Sequence, residues 1–150
     1  MKWIDLPPVW LAGFAALAWG LSRWRPLGLD LGGLALWSWL GGALILAGLI
    51  LAVLAAREMA RARTTIIPHR QPDALVTSGI FRVSRNPIYL GDVLILTGLI
   101  LWWEAVIALP LVPLFAYVLT RRFIRPEEAR LAAAFGPAFR TWRARVRRWI

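Results

Sequence analysis

The sequence predicts an all-α, polytopic membrane bundle of about four transmembrane helices, followed by amphipathic helices at its C-terminal end. Three observations predict it. The chain of 150 residues is 59% hydrophobic, well above the roughly 45–50% apolar usage of soluble domains. Uncharged runs of membrane length recur along it. All but one of its 18 basic residues are arginine, in a chain of net charge +10, and they gather in two blocks beside the apolar runs. At this length a single domain over residues 1–150 is expected.

The surest span is the uncharged run from Leu31 to Ala56, because a helix needs about 20 apolar residues to cross a bilayer. Gly32, Gly33, Gly41, Gly42 and Gly48 lie in it, and glycine at that density lets helices approach closely in lipid. Leu6 to Ser22 is a shorter run whose first turn suits Pro7 and Pro8. With Lys2 ahead and Ala16-Leu17-Ala18 behind, it also reads as a secretory signal. An uncleaved span is preferred, since the next apolar run follows at once and needs a partner.

Val93 to Thr120 is interrupted only by Glu104, and forms either one long helix or a tight hairpin. Charge counting favours the hairpin. Six arginines lie between the second span and it (57, 61, 63, 70, 82, 85) and nine follow it (121, 122, 125, 130, 140, 143, 145, 147, 148). A hairpin puts these fifteen on one side, as the excess of positive charge in cytoplasmic loops favours, and leaves only Arg23 and Arg25 on the far side. Trp102, Trp103 and Glu104 then mark the far turn. The expected spans are 6–23, 31–56, 88–103 and 105–120, with both termini cytoplasmic in a bacterial inner membrane. Nucleic-acid binding is not expected, because no soluble basic domain is left over to do it. The glycine-rich spans are suited to packing against a second copy.

Two cytoplasmic segments remain, 64–91 and 121–150. In the first, Asn86-Pro87 stops one helix and starts another, with Pro87 at the first helical position. Asp92 then falls about one turn into the apolar helix, where a carboxylate needs a partner; Arg85 is the candidate. In the second, Pro126-Glu127-Glu128 reads as a helix start. Leu131, Phe135, Phe139, Trp142, Val146 and Trp149 form one apolar stripe among arginines, broken by Gly136-Pro137 into two helices. The chain has no cysteine, which removes thiolate ligands and nucleophiles. His69 stands without a histidine or acidic cluster near it, so no metal site is expected.

The run Gly79-Ile80-Phe81-Arg82-Val83-Ser84-Arg85-Asn86-Pro87-Ile88-Tyr89-Leu90-Gly91, followed by Glu127, Glu128, Leu131, Phe135-Gly136, Phe139, Trp142, Val146 and Arg148, resembles the two blocks of the isoprenylcysteine carboxyl methyltransferase family, which is grouped with the phospholipid methyltransferases. Pro68-His69-Arg70 is similar to bacterial members. The likeness covers about residues 64–150. Asn86 stands where the family commonly has histidine, and Phe81, Phe139 and Trp142 where it commonly has tyrosine. The resemblance implies S-adenosylmethionine as methyl donor and S-adenosylhomocysteine as product, in a cytosolic pocket roofed by the C-terminal helices. It implies a lipophilic small-molecule or prenylated acceptor entering from the lipid bilayer.

The chemistry fits these residue types. Methyl transfer from a sulfonium is an in-line displacement that depends chiefly on alignment. An arginine fork suits a carboxylate, a glutamate suits ribose hydroxyls or an ammonium, and backbone near Gly79 and Gly91 suits an adenine edge. By resemblance, His69, Gly79, Phe81, Arg85, Asn86, Pro87, Tyr89, Gly91, Glu127 and Glu128 are assigned to the cofactor. Arg148, with Glu128 and Arg143, is assigned to catalysis, Arg148 on the acceptor side. A carboxylate acceptor needs an arginine to hold it; an amine or phenol needs a carboxylate to take its proton. Taken singly, Glu127 and Glu128 are ordinary helix-start residues and Arg148 an ordinary partner for lipid phosphate. The ordered constellation favours the enzyme over a non-catalytic accessory protein that retains the fold.

Overall fold

The computed structural model describes residues 6–23, 35–64 and 73–150, and every regular element among them is helical. Helix α1 is Pro7–Arg23 and α2 is Ala35–Arg61. A short 3-10 turn, Gly79–Arg82, leads to α3, Pro87–Trp102. After a second such turn, Val106–Ala108, α4 is Leu111–Leu119 and α5 is Arg125–Arg145. Two helices are long and apolar enough to cross a membrane, Ala35–Arg61 and the run Val106–Arg145, while Pro87–Trp102 is apolar but shorter.

Helices α2 and α3 are joined by glycine. A Cβ built on Gly41 would lie 2.6 Å from the carbonyl oxygen of Gly98, and one on Gly91 would lie 2.6 Å from that of Gly48. As residue numbers rise on one helix they fall on the other, so the two run antiparallel, and the glycines recur every second turn on the contact face of each. Gly32 and Gly33 lie outside the described residues. Helix α1 packs against α3 and α4, with the Phe14 and Phe115 rings 5.0 Å apart. Leu36, Trp39, Leu46 and Val53 of α2 remain exposed, as suits a lipid-facing surface.

The predicted boundaries need three corrections. Helix α2 does not stop at Ala56 but continues to Arg61, because nothing in 57–61 breaks a helix and basic residues in a last turn favour the helix dipole. It ends where Arg63, at φ 50°, donates its N–H to Ala60 O and Thr64 donates to Met59 O. This is the left-handed, doubly hydrogen-bonded cap usually made by glycine. The same cap ends α3, with Glu104 at φ 50°, its N–H on Leu101 O and that of Ala105 on Ile100 O. The apolar stretch 93–120 is therefore two helices, but the second begins at Leu111 rather than 105.

The third correction is the largest. Pro126 stands at the start of α5, with Glu127 and Glu128 in its first turn, but no break precedes it, since α4 continues through a wide π turn, Thr120–Ile124, directly into α5. The Arg125 N–H reaches back five residues to Thr120 O. That widened turn relieves the clash that a proline makes with the carbonyl four residues earlier. The predicted break at Gly136-Pro137 is present as a kink, with Gly136 at φ 44°, ψ −112°.

Candidate functional site

The two segments flanking the α3–α4 hairpin meet at one end of the bundle. The site begins on α2. Ser78 Oγ donates to Glu58 Oε2 at 2.6 Å, and Arg61 Nη1 lies 2.9 Å from Glu58 Oε1. Gly79 sits directly against that carboxyl group, at φ 54°, and a Cβ there would lie 2.6 Å from Glu58 Cδ. Glycine is needed here both for the backbone angle and for the space.

The turn that follows fixes Phe81, which is buried, and leaves its carbonyl oxygen to accept a hydrogen bond from Trp142 Nε1 at 3.2 Å. Phe81, Phe139, Trp142 and Val146 form a second apolar core with Val76 and Ala55. The apolar stripe of α5 is thus spent on this contact. Ser84 Oγ accepts from the Asn86 N–H at 3.1 Å. Asn86 occupies the N-cap position of α3 but makes no side-chain cap. Its amide instead donates to Arg148 O at 2.9 Å, and the Arg85 N–H donates to Arg147 O at 3.0 Å. These bonds tie the chain after α5 across the start of α3.

At that junction Glu128 lies between two arginines. Arg148 grips it with Nε to Oε1 at 3.1 Å and Nη2 to Oε2 at 2.8 Å. Arg85 Nη1 is 2.9 Å from Oε1. The side chains of Arg85 and Glu128 are 9% and 12% exposed, and a charge so enclosed is retained only when paired. Burial lowers the Arg85 pKa while Glu128 opposes it, and the hydrogen bonds to Glu128 raise that of Arg148. One residue earlier, Glu127 Oε2 accepts from the Tyr89 hydroxyl at 2.9 Å, and the Tyr89 ring stacks on Phe123 at 6.2 Å.

The fold therefore brings Arg85, Asn86, Tyr89, Glu127, Glu128 and Arg148 into one cluster. Phe81 and Pro87 are buried packing residues. Gly91 lies at the α2–α3 crossing, its Cα face closed by Gly48, so packing alone accounts for glycine there. Arg143 is exposed and does not join the ion pair, although it is near enough to Arg85 to repel it. His69 lies outside the described residues. The suggested pairing of Arg85 with Asp92 is not formed: Arg85 takes Glu128, and Asp92 Oδ2 is buried without a hydrogen-bond partner among the described residues. Sequence reasoning missed Glu58 and Ser78. The Glu58–Arg61 spacing on one helix face was the available signal for the first.

Arg85 also fits an anion beyond Glu128. Its Nε is buried with no hydrogen bond among the described residues, and its Nη1, though ion-paired, is not aligned as a hydrogen-bond donor. Those guanidinium donors suit a carboxylate such as the donor amino acid carries.

Apolar helices packed on glycine, with a charged cluster assembled at one end from two separate segments, make a helical bundle of membrane-type composition with a polar site at one end. A family model described as phospholipid methyltransferase matches residues 36–138. The match covers more than half of the chain, which belongs to that family of membrane methyltransferases. It includes Arg85 to Gly91, Glu127 and Glu128, and stops before Arg148. No curated protein and no solved structure matches the chain.

Proposed function

We propose that the protein is an S-adenosylmethionine-dependent methyltransferase acting at the cytosolic membrane face on a lipophilic acceptor, a lipid or a prenylated carboxylate. The observation that carries the reading is the convergence of Arg85, from the segment before α3, with Glu128 and Arg148, from the segment after α4. In this reading α1, α2, α3 and the apolar first part of the run Val106–Arg145 are four spans and both termini are cytoplasmic. That orientation keeps the arginines between α2 and α3 and those after α4 on one side.

When bound, the sulfonium donor supplies an activated methyl group. The chain's own residues hold and orient. Arg85 directs its unused donors at the amino-acid carboxylate. Glu127, held by the Tyr89 hydroxyl, offers a carboxylate to ribose hydroxyls or the ammonium. Trp142 and Phe139 close the second core over the 79–82 turn and exclude water from that side. Fixing these groups supplies the alignment that an in-line displacement needs.

Calorimetric binding of S-adenosylhomocysteine to the detergent-purified protein tests the reading, with Glu128→Gln beside it. Micromolar binding by the wild type, weakened at least tenfold in the variant, is expected. A folded wild type that binds nothing sinks it. One observation favours the second reading, a non-catalytic accessory protein: both carboxylate oxygens of Glu128 are already engaged by the chain's own arginines. The same titration separates the two.

A further inference from the structure

Asp92 is the one charged side chain on α3, and the cluster at the helix start does not use it. Its Oδ2 is shut off from solvent and has no hydrogen-bond partner among the described residues. The basic residue nearest in sequence, Arg85, is committed to Glu128. A carboxylate oxygen left unpaired in an apolar helix is costly, and Asp92 caps nothing, since it lies past the first turn.

Its place is informative. Tyr89 is three residues earlier, on the same side of the helix, and its hydroxyl donates to Glu127 Oε2 at 2.9 Å. Arg85 precedes the helix, Tyr89 is in its first turn, and Asp92 stands five residues past Pro87, about 7 Å further in at about 1.5 Å per residue. Going from the helix start into the apolar layer, the order is the arginine–glutamate cluster, the Tyr89–Glu127 bond, then the free carboxylate. In the methyltransferase reading, a lipophilic acceptor enters from the apolar layer, the side on which Asp92 stands.

Resting on the methyltransferase reading, we propose that Asp92 is a catalytic proton acceptor: its Oδ2 takes the proton from the acceptor's nucleophile, an ammonium drawn to the unpaired carboxylate. The ammonium gives its proton to Asp92 and becomes an amine with a free lone pair. That pair forms the bond to the methyl carbon, the carbon–sulfur pair stays with sulfur, and a thioether and an N-methylammonium result. A carboxylate acceptor has no proton to give and needs no such residue.

The test compares wild type with Asp92→Asn in phosphatidylglycerol vesicles, using a long-chain alkylamine as the acceptor probe. Without methyl donor, the amine is expected to bind the wild type at least about tenfold more tightly than the variant, because the variant lacks the carboxylate that draws the ammonium. With methyl-labelled S-adenosylmethionine, the variant is expected to transfer at least about 100-fold more slowly at neutral pH. The gap should close above about pH 10, where the ammonium loses its proton unaided. S-adenosylhomocysteine should bind both equally. Equal transfer at neutral pH overturns the proposal, and so does a loss that persists at high pH. A wild type that binds S-adenosylhomocysteine yet leaves the amine unmethylated overturns it while sparing the methyltransferase reading. A wild type that binds no S-adenosylhomocysteine removes both.

Discussion

Arg148 and Glu128 form a two-pronged ion pair, Nε to Oε1 at 3.1 Å and Nη2 to Oε2 at 2.8 Å, and Arg85 shares the same carboxylate at 2.9 Å. One anion therefore holds two cations from opposite ends of the site. Removing it is worse than removing either partner. Glu128→Ala leaves Arg85 enclosed and uncompensated, and is expected to destabilise by about 3 kcal/mol. Arg148 is 31% exposed, so Arg148→Ala should cost only about 1 kcal/mol. Denaturation midpoints in mixed micelles check the order. An Arg148 variant less stable than the Glu128 variant would contradict it.

The glycine contacts between α2 and α3 predict a sharp positional contrast. Gly48→Ala and Gly91→Ala each force a methyl group into the opposite carbonyl, and overpacking of this kind costs about 1–3 kcal/mol. Gly13 of α1 has nothing within 4 Å of where its Cβ would lie. Gly13→Ala should therefore be neutral or stabilising, by up to about 1 kcal/mol. The same micelle assay, run on all three, would refute the packing account if they behaved alike.

Two helix caps carry side chains where glycine would be easier. Arg63 and Glu104 both stand at φ 50°. That conformation costs a non-glycine residue about 1–2 kcal/mol, partly offset by the freedom glycine brings to the unfolded chain. Arg63→Gly and Glu104→Gly are expected to stabilise by about 0.5–1 kcal/mol. Gly136→Ala runs the other way, since φ 44° with ψ −112° imposes strain of about 1–3 kcal/mol on any side chain. Thermal midpoints that fell for the first two would be evidence against the cap geometry.

Trp142 has two functions that a pair of substitutions separates. Trp142→Phe keeps an aromatic ring in the second core and loses the hydrogen bond to Phe81 O, so it should cost about 1 kcal/mol. Trp142→Ala loses both and should cost about 3–5 kcal/mol. Hydrogen exchange over 78–86 reads the local effect, and should quicken in both variants. Unchanged exchange there would mean that α5 does not brace this turn.

The outcomes along the chain divide by how local the governing physics is. The helical class followed from the length and frequency of apolar runs, because satisfying the backbone in an apolar environment leaves a helix as the local solution. The break at Trp103–Glu104 and the kink at Gly136-Pro137 were legible for the same reason: charge, proline and glycine act on their own few residues. The helix start at Pro126 was legible too, but its continuity with α4 was not, because a π turn five residues long carries the helix through to the proline and no local pattern announces one.

The site divides in the same way. Residue types and spacing nominated Arg85, Glu127, Glu128 and Arg148 as the chain's chemistry. They did not determine that Glu128 is shared by two arginines, that Asn86 gives up its cap to hold Arg148 O, that Glu58 supports Gly79, or that Asp92 is left alone. By itself, the sequence determined helices, a membrane-type composition and a family. Only the tertiary structure decided which charge meets which. Ion pairs and hydrogen bonds act over about 3 Å, and that proximity, between residues 20 to 62 positions apart, is set by how the helices pack and not by anything local to either end.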